Sequence, residues 1–82
     1  MRIEVLYFAS AREAARRSSE ALDVPPASTL ADLKPILAAR HPALAAGFAA
    51  LRFAIGERFA PSESESLHDG DRVALIPPVS GG

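Results

Sequence analysis

Thr29-Leu30-Ala31-Asp32-Leu33-Lys34-Pro35-Ile36-Leu37-Ala38-Ala39-Arg40 is the stretch of this 82-residue chain that reads as its principal helix. Thr29 suits an N-cap. Asp32, three residues on, places a carboxylate where the first turn leaves amides unsatisfied and the helix end is positive. Leu30, Leu33, Ile36 and Leu37 fall on one stripe at helical spacing, so a helix is predicted over 30–40. Pro35 lies beyond the first turn and removes a backbone donor, which predicts a distorted first half. His41-Pro42 closes the helix. Pro42 is expected to open a second short helix over 43–46, ended by Gly47.

Outward from this helix the period changes to two. Residues 2–8 are rich in β-branched and aromatic side chains, with Ile3, Val5 and Tyr7 on one face and Glu4, Leu6 and Phe8 on the other. Ser10 is read as the cap of a short helix over 11–17, and a second strand over 19–24 points Leu22 and Val24 inward before Pro25-Pro26 ends it. On the C-terminal side, strands over 51–55 and 58–60 flank Gly56-Glu57, a two-residue turn with glycine first. Residues 61–66 read as a polar loop and His68-Asp69-Gly70-Asp71 as a turn. The last strand runs over 72–76, Val73 and Leu75 inward. The order strand, strand, helix, then three short strands lacks the βα alternation of a doubly wound sheet and predicts a single α+β roll. One principal helix covers one face of such a sheet, so Leu6, Phe8, Phe59 and Ile76 on the other face require a separate explanation.

Nine basic against ten acidic side chains give a net charge of -1, and that balance supplies no electrostatic reason for a nucleic-acid partner or an anionic membrane. The absence of cysteine removes disulfides and thiolate metal sites. No signal peptide or membrane span is read, which makes the cytoplasm the expected location. Walker, dinucleotide-binding, nucleophile-elbow and metalloprotease motifs are missing, and His41 and His68 lack ligand spacing. Asp69-Gly70-Asp71 is not followed by the remaining ligands of a calcium loop. No metal, no bound cofactor and no active site of its own are expected.

Chemistry is expected at the tail. Two terminal glycines arise by chance in roughly one chain in 200. Pro77-Pro78 fixes φ and favours an extended segment just after a strand, aiming residues 77–82 away from the body. Such a tail reaches roughly 20 Å, and Gly81 and Gly82 carry no side chain to obstruct a narrow passage. A carboxylate at Gly82 is a poor electrophile and needs activation, most simply adenylation by ATP. Without a nucleotide motif in this chain, ATP is used in trans by a separate activating enzyme.

The stretch Leu67-His68-Asp69-Gly70-Asp71-Arg72-Val73-Ala74-Leu75-Ile76-Pro77-Pro78-Val79-Ser80-Gly81-Gly82 resembles the C-terminal signature of the molybdopterin synthase small-subunit family. Ile3-Glu4-Val5-Leu6-Tyr7-Phe8-Ala9 with Arg12-Glu13 resembles its first strand, and Ile55-Gly56-Glu57-Arg58-Phe59 its hairpin. The resemblance implies a ubiquitin-like β-grasp fold, a mixed sheet packed on one main helix, and the role of sulfur carrier in molybdenum cofactor biosynthesis. It further implies that an E1-like enzyme adenylates Gly82, that a sulfur donor converts it to a thiocarboxylate, and that the large synthase subunit receives the tail. Gly82 carries over as the sulfur-bearing residue, Gly81, Ser80, Val79, Pro78 and Pro77 as the threaded segment, and Phe8, Phe59, Ile76 and Arg12 as partner contacts. Pro35 and the alanine-rich stretch 38–50 depart from any family motif. Sulfur carriers of thiamin or cysteine biosynthesis would share the fold and the diglycine, although Pro77-Pro78 and the chain length favour the molybdopterin role. An interaction module with an unreactive tail is the alternative from another class.

Overall fold

The computed structural model describes residues 1–78. In chain order they form β1 (Arg2–Tyr7), α1 (Ala9–Ala15), β2 (Ser19–Asp23), α2 (Leu30–Arg40), α3 (Pro42–Ala45), a 3-10 turn (Phe48–Ala50), β3 (Arg52–Ile55), β4 (Arg58–Phe59) and β5 (Arg72–Ile76). The five strands make one sheet in the order β2-β1-β5-β3-β4. β1 and β5 pair parallel, Leu6 opposite Ala74, while the other pairs are antiparallel. First and last strands therefore lie side by side at the centre, and the main helix belongs to the connection between them. This is the β-grasp roll.

The core forms where alternation on the strands meets helical spacing on α2. Ile3, Val5 and Tyr7 of β1 and Val73 and Leu75 of β5 are buried beneath Leu30, Leu33 and Leu37. Each fully buried leucine contributes about 2 kcal/mol. Ile36, the fourth member of the predicted stripe, is only half-buried. α2 starts at the expected capping box: the Asp32 N–H donates to Thr29 Oγ1 at 3.3 Å, and the Thr29 N–H donates to Asp32 Oδ2 at 2.9 Å.

The polar loop is more tightly held than a solvated loop. The Leu30 N–H donates to the Glu65 carbonyl at 3.1 Å and the Ala31 N–H to that of Glu63 at 3.0 Å, so the loop satisfies two amides that a first helical turn leaves open. Pro35 lies inside α2, and the helix runs without interruption from Leu30 to Arg40 across it. Its missing donor would have served the Ala31 carbonyl.

One local expectation fails. Ser10 does not cap α1. The helix begins at Ala9, with extended Phe8 at the cap position and no side-chain cap bond. α3 ends before Gly47 as expected, but Gly47 has φ -104 rather than a left-handed value, and the chain passes directly into the unexpected 3-10 turn. The hairpin glycine is where it should be, Gly56 at φ +66, in the region that only glycine occupies without strain.

Candidate functional site

The sheet face away from α2 is built row by row from strand register. Leu6 lies opposite Ala74, Ala74 opposite Ala54, and Ala54 opposite Phe59. The next row sets Ile76 opposite Arg52. Phe8 follows β1 in extended conformation, φ -121 and ψ 149, and by alternation shares the face of Leu6. Two alanines at the centre, flanked by Leu6, Phe8, Phe59 and Ile76, make a shallow apolar strip across the sheet. Phe8 and Phe59 are 48% and 47% exposed, the exposed large apolar side chains of the described residues. Leu6 and Ile76 are half-buried. The Arg52 guanidinium lies 3.9 Å from the Phe59 ring centroid.

β5 delivers the chain from this strip to the tail. Pro77 is half-buried and Pro78 exposed, and both line a groove of about 320 Å³ with Ser10, Ala11 and Ala14 of α1 and Leu44 of α3. Pro77 and Pro78, the first two residues of the tail segment, thus lie against an apolar groove. Val79, Ser80, Gly81 and Gly82 lie outside the described residues. Arg12 is exposed on α1, its N–H donating to the Phe8 carbonyl at 3.3 Å, so Arg12 follows the strip by one helical turn. Three predicted contacts, Phe8, Phe59 and Ile76, share a face; Arg12 belongs to the helix beside it.

Sequence reasoning missed a buried charge on the opposite side of the sheet. Glu20 of β2 points inward with Leu22 and is 7% exposed. Tyr7 donates its hydroxyl to Glu20 Oε1 at 2.6 Å, Arg17 and Arg40 donate to Oε2 at 2.7 and 3.0 Å, and His41 Nε2 lies 2.5 Å from Oε1. Burial alone would raise the Glu20 carboxyl. The donors from Tyr7, His41, Arg40 and Arg17 outweigh it and hold the carboxyl down at about 2. Burial, then the hydrogen bond to Glu20, pushes the Tyr7 hydroxyl above the ordinary range. A detectable signal existed: an acid alternating with Leu22 and Val24 on an inward face needs partners.

Among the described residues no group of three His, Cys, Asp or Glu side chains could hold a metal ion, and no helix is long and apolar enough to cross a membrane. The Asp69-Gly70-Asp71 turn uses its carboxylates internally, Asp69 accepting from the Arg2 N–H at 2.8 Å and Asp71 from the His68 N–H at 2.7 Å.

The likeness to known proteins runs along the whole chain. A molybdopterin synthase sulfur carrier subunit of Chlamydomonas reinhardtii is 40% identical over 83 residues, covering 100% of both chains. The corresponding subunit of Homo sapiens is 35% identical and covers 98% of this chain and 93% of its own length. Among solved structures, SAMP1 from Haloferax volcanii superposes with a TM-score of 0.88 at 29% identity, all of both chains covered. A putative molybdopterin converting factor, subunit 1, from Pyrococcus furiosus gives 0.87 at 29%, covering 96% of this chain and 99% of its own. The ThiS family matches residues 5–82, from within β1 through the diglycine, and the chain belongs to that family.

Proposed function

We propose that this chain is the sulfur carrier subunit of a molybdopterin synthase, with Gly82 as its reacting residue. The carrying observation is whole-length similarity to curated subunits of that name, up to 40% identity. An exposed apolar strip, set beside the strand that leads into the tail, supports the reading physically: it is a surface on which a large subunit can seat while the tail enters its pocket. The chain then contributes no catalytic machinery of its own.

In this reading an E1-like enzyme binds ATP in trans. The Gly82 carboxylate attacks the α-phosphorus, pyrophosphate leaves, and an acyl-adenylate forms. Sulfide sulfur from a donor next attacks the carbonyl carbon and AMP departs, leaving a thiocarboxylate. Splitting one difficult step into two is the usual logic of such activation. The large subunit receives the tail, Pro77 to Gly81 threading toward it; the thiocarboxylate sulfur bonds to cyclic pyranopterin monophosphate, and water then cleaves the acyl–sulfur bond, leaving sulfur on the acceptor and returning Gly82 as a carboxylate. Phe8, Phe59, Ile76 and Arg12 contact the partner.

Intact mass after incubation with an E1-like enzyme, ATP and sulfide tests the reading. The expected result is a gain of about 16 Da as sulfur replaces one oxygen of Gly82. An unchanged mass with an activating enzyme that charges a known carrier rules the role out.

A further inference from the structure

Cations on the strands are answered by carboxylates with one exception. Arg2 pairs with Asp23, Arg58 with Glu65 and Arg72 with Glu4. Arg52 of β3 has no ion-pair partner among the described residues and instead lies over Phe59, 3.9 Å from the ring centroid. Its position follows from register: Arg52 is opposite Ile76 on β5, and Phe59 is opposite Ala54, two residues along the same face of β3. Arg52 therefore stands between Ile76, the last residue of β5, and Phe59 on the open face, with its guanidinium held over the Phe59 ring.

A stacked guanidinium keeps its N–H donors along its edges, in the planar fork that matches a carboxylate. The ring has already restricted its rotamers, so less freedom is lost when a carboxylate arrives. An arginine of this kind beside an exposed aromatic is a typical centre of protein recognition. We infer that Arg52 is a specificity-determining cation of the docking face, and that the large subunit sets a carboxylate against it at the tail end of the apolar strip. The inference rests on the docking role proposed above and adds the chemistry of the partner surface. Apolar contact alone admits any greasy surface; a fixed cation rejects one that offers no acid there.

The test titrates the full chain and its Arg52→Gln, Arg52→Glu and Phe59→Ala variants against the large subunit at several salt concentrations, each with a thermal melt. Arg52→Glu is expected to weaken binding about tenfold or more, and Arg52→Gln about threefold, with a flatter salt dependence in both and unchanged melting. A large-subunit variant with one interface acid changed to arginine should recover the Arg52→Glu loss. If Arg52 variants bind like the parent while Phe59→Ala does not, the inference fails and the docking reading stands. A loss in Arg52→Gln with the parent's salt dependence also overturns it, because the stem would be packing without its charge being read. Parent-like binding by both Arg52→Glu and Phe59→Ala removes the docking face itself.

Discussion

The two sides of the sheet invert the ordinary rule of burial, in opposite directions. Beneath the end of α2 a carboxylate, Glu20, is 7% exposed, while on the open face Phe8 and Phe59 are nearly half exposed. The buried charge is complete within the chain: two arginines, a tyrosine and a histidine surround it, and no buried side-chain polar atom of the described residues lacks a partner. The exposed rings are incomplete: each is nearly half exposed, with Arg52 set over Phe59. A polar group inside that is satisfied is about holding the fold. An apolar group outside that is unsatisfied is about what the fold meets.

That contrast breaks most visibly at Glu20. Glu20→Ala leaves the buried Tyr7 hydroxyl without its acceptor and two arginines facing each other, and should cost about 3 kcal/mol of stability. A thermal melt would read a drop of roughly 15 °C in a domain of this size. Affinity of the folded fraction for the large subunit should not change. A comparable melting temperature in the variant would show the cluster to be ornamental.

Acid titration of the unmodified chain probes the same group. The Glu20 carboxyl titrates at about 2 in the fold against 4.5 ordinarily. A lowered folded value means that its stabilisation is present above pH 4.5 and is lost as pH falls from there toward 2. The linked loss is roughly 3 kcal/mol, at about 1.4 kcal/mol per unit. Chemical denaturation from pH 6 down to pH 2.5 checks it, and the acid dependence attributable to this group should vanish in Glu20→Gln.

Phe59→Ala tests the other side. Truncating an interface anchor should weaken large-subunit binding by about 1 to 3 kcal/mol, while an exposed ring on a two-residue edge strand should change stability by less than about 1 kcal/mol. Unchanged affinity with a collapsed melt would make the two sides alike and place Phe59 in the core.

Which of these features could be read from sequence follows from how far apart their parts lie. Thr29 and Asp32 are three residues apart, and the capping box appears where local rules put it; Gly56 likewise marks its own turn. The apolar strip was legible because alternation on β1 and β5 needs no knowledge of partners. The Glu20 cluster draws on residues 7, 17, 20, 40 and 41, from three segments that only the fold brings together. Ser10 failed for a related reason: a capping residue was available, but the turn out of β1 at Phe8 and Ala9 started the helix earlier. The capping of α2 by Glu63 and Glu65 carbonyls spans more than thirty residues and left no local trace. Gly81 and Gly82 were read from the sequence and lie outside the described residues.

The smallest expected effect lies where the two sides are joined. α1 leads from Phe8 on the open face to Arg17 in the buried cluster, and its C-cap, Arg16, turns the chain at φ 60 and ψ 33 with its N–H donating to the Arg12 carbonyl at 2.8 Å. A side chain in that left-handed conformation costs roughly 1 kcal/mol that glycine does not incur. Glycine gives part of this back through a more flexible unfolded chain. Arg16 is exposed and forms no ion pair with a described residue, so little else is lost with it. Arg16→Gly should therefore stabilise the protein by about 0.5 kcal/mol, a rise of roughly 3 °C in the melt. Partner affinity should stay at the parental value, since the turn feeds the cluster side and not the strip. A fall in stability would mean that Arg16 holds Arg17 toward Glu20 by more than backbone conformation. A fall in affinity at unchanged stability would extend the docking face past Arg12 to the C-terminal end of α1 and erase the separation between the two sides.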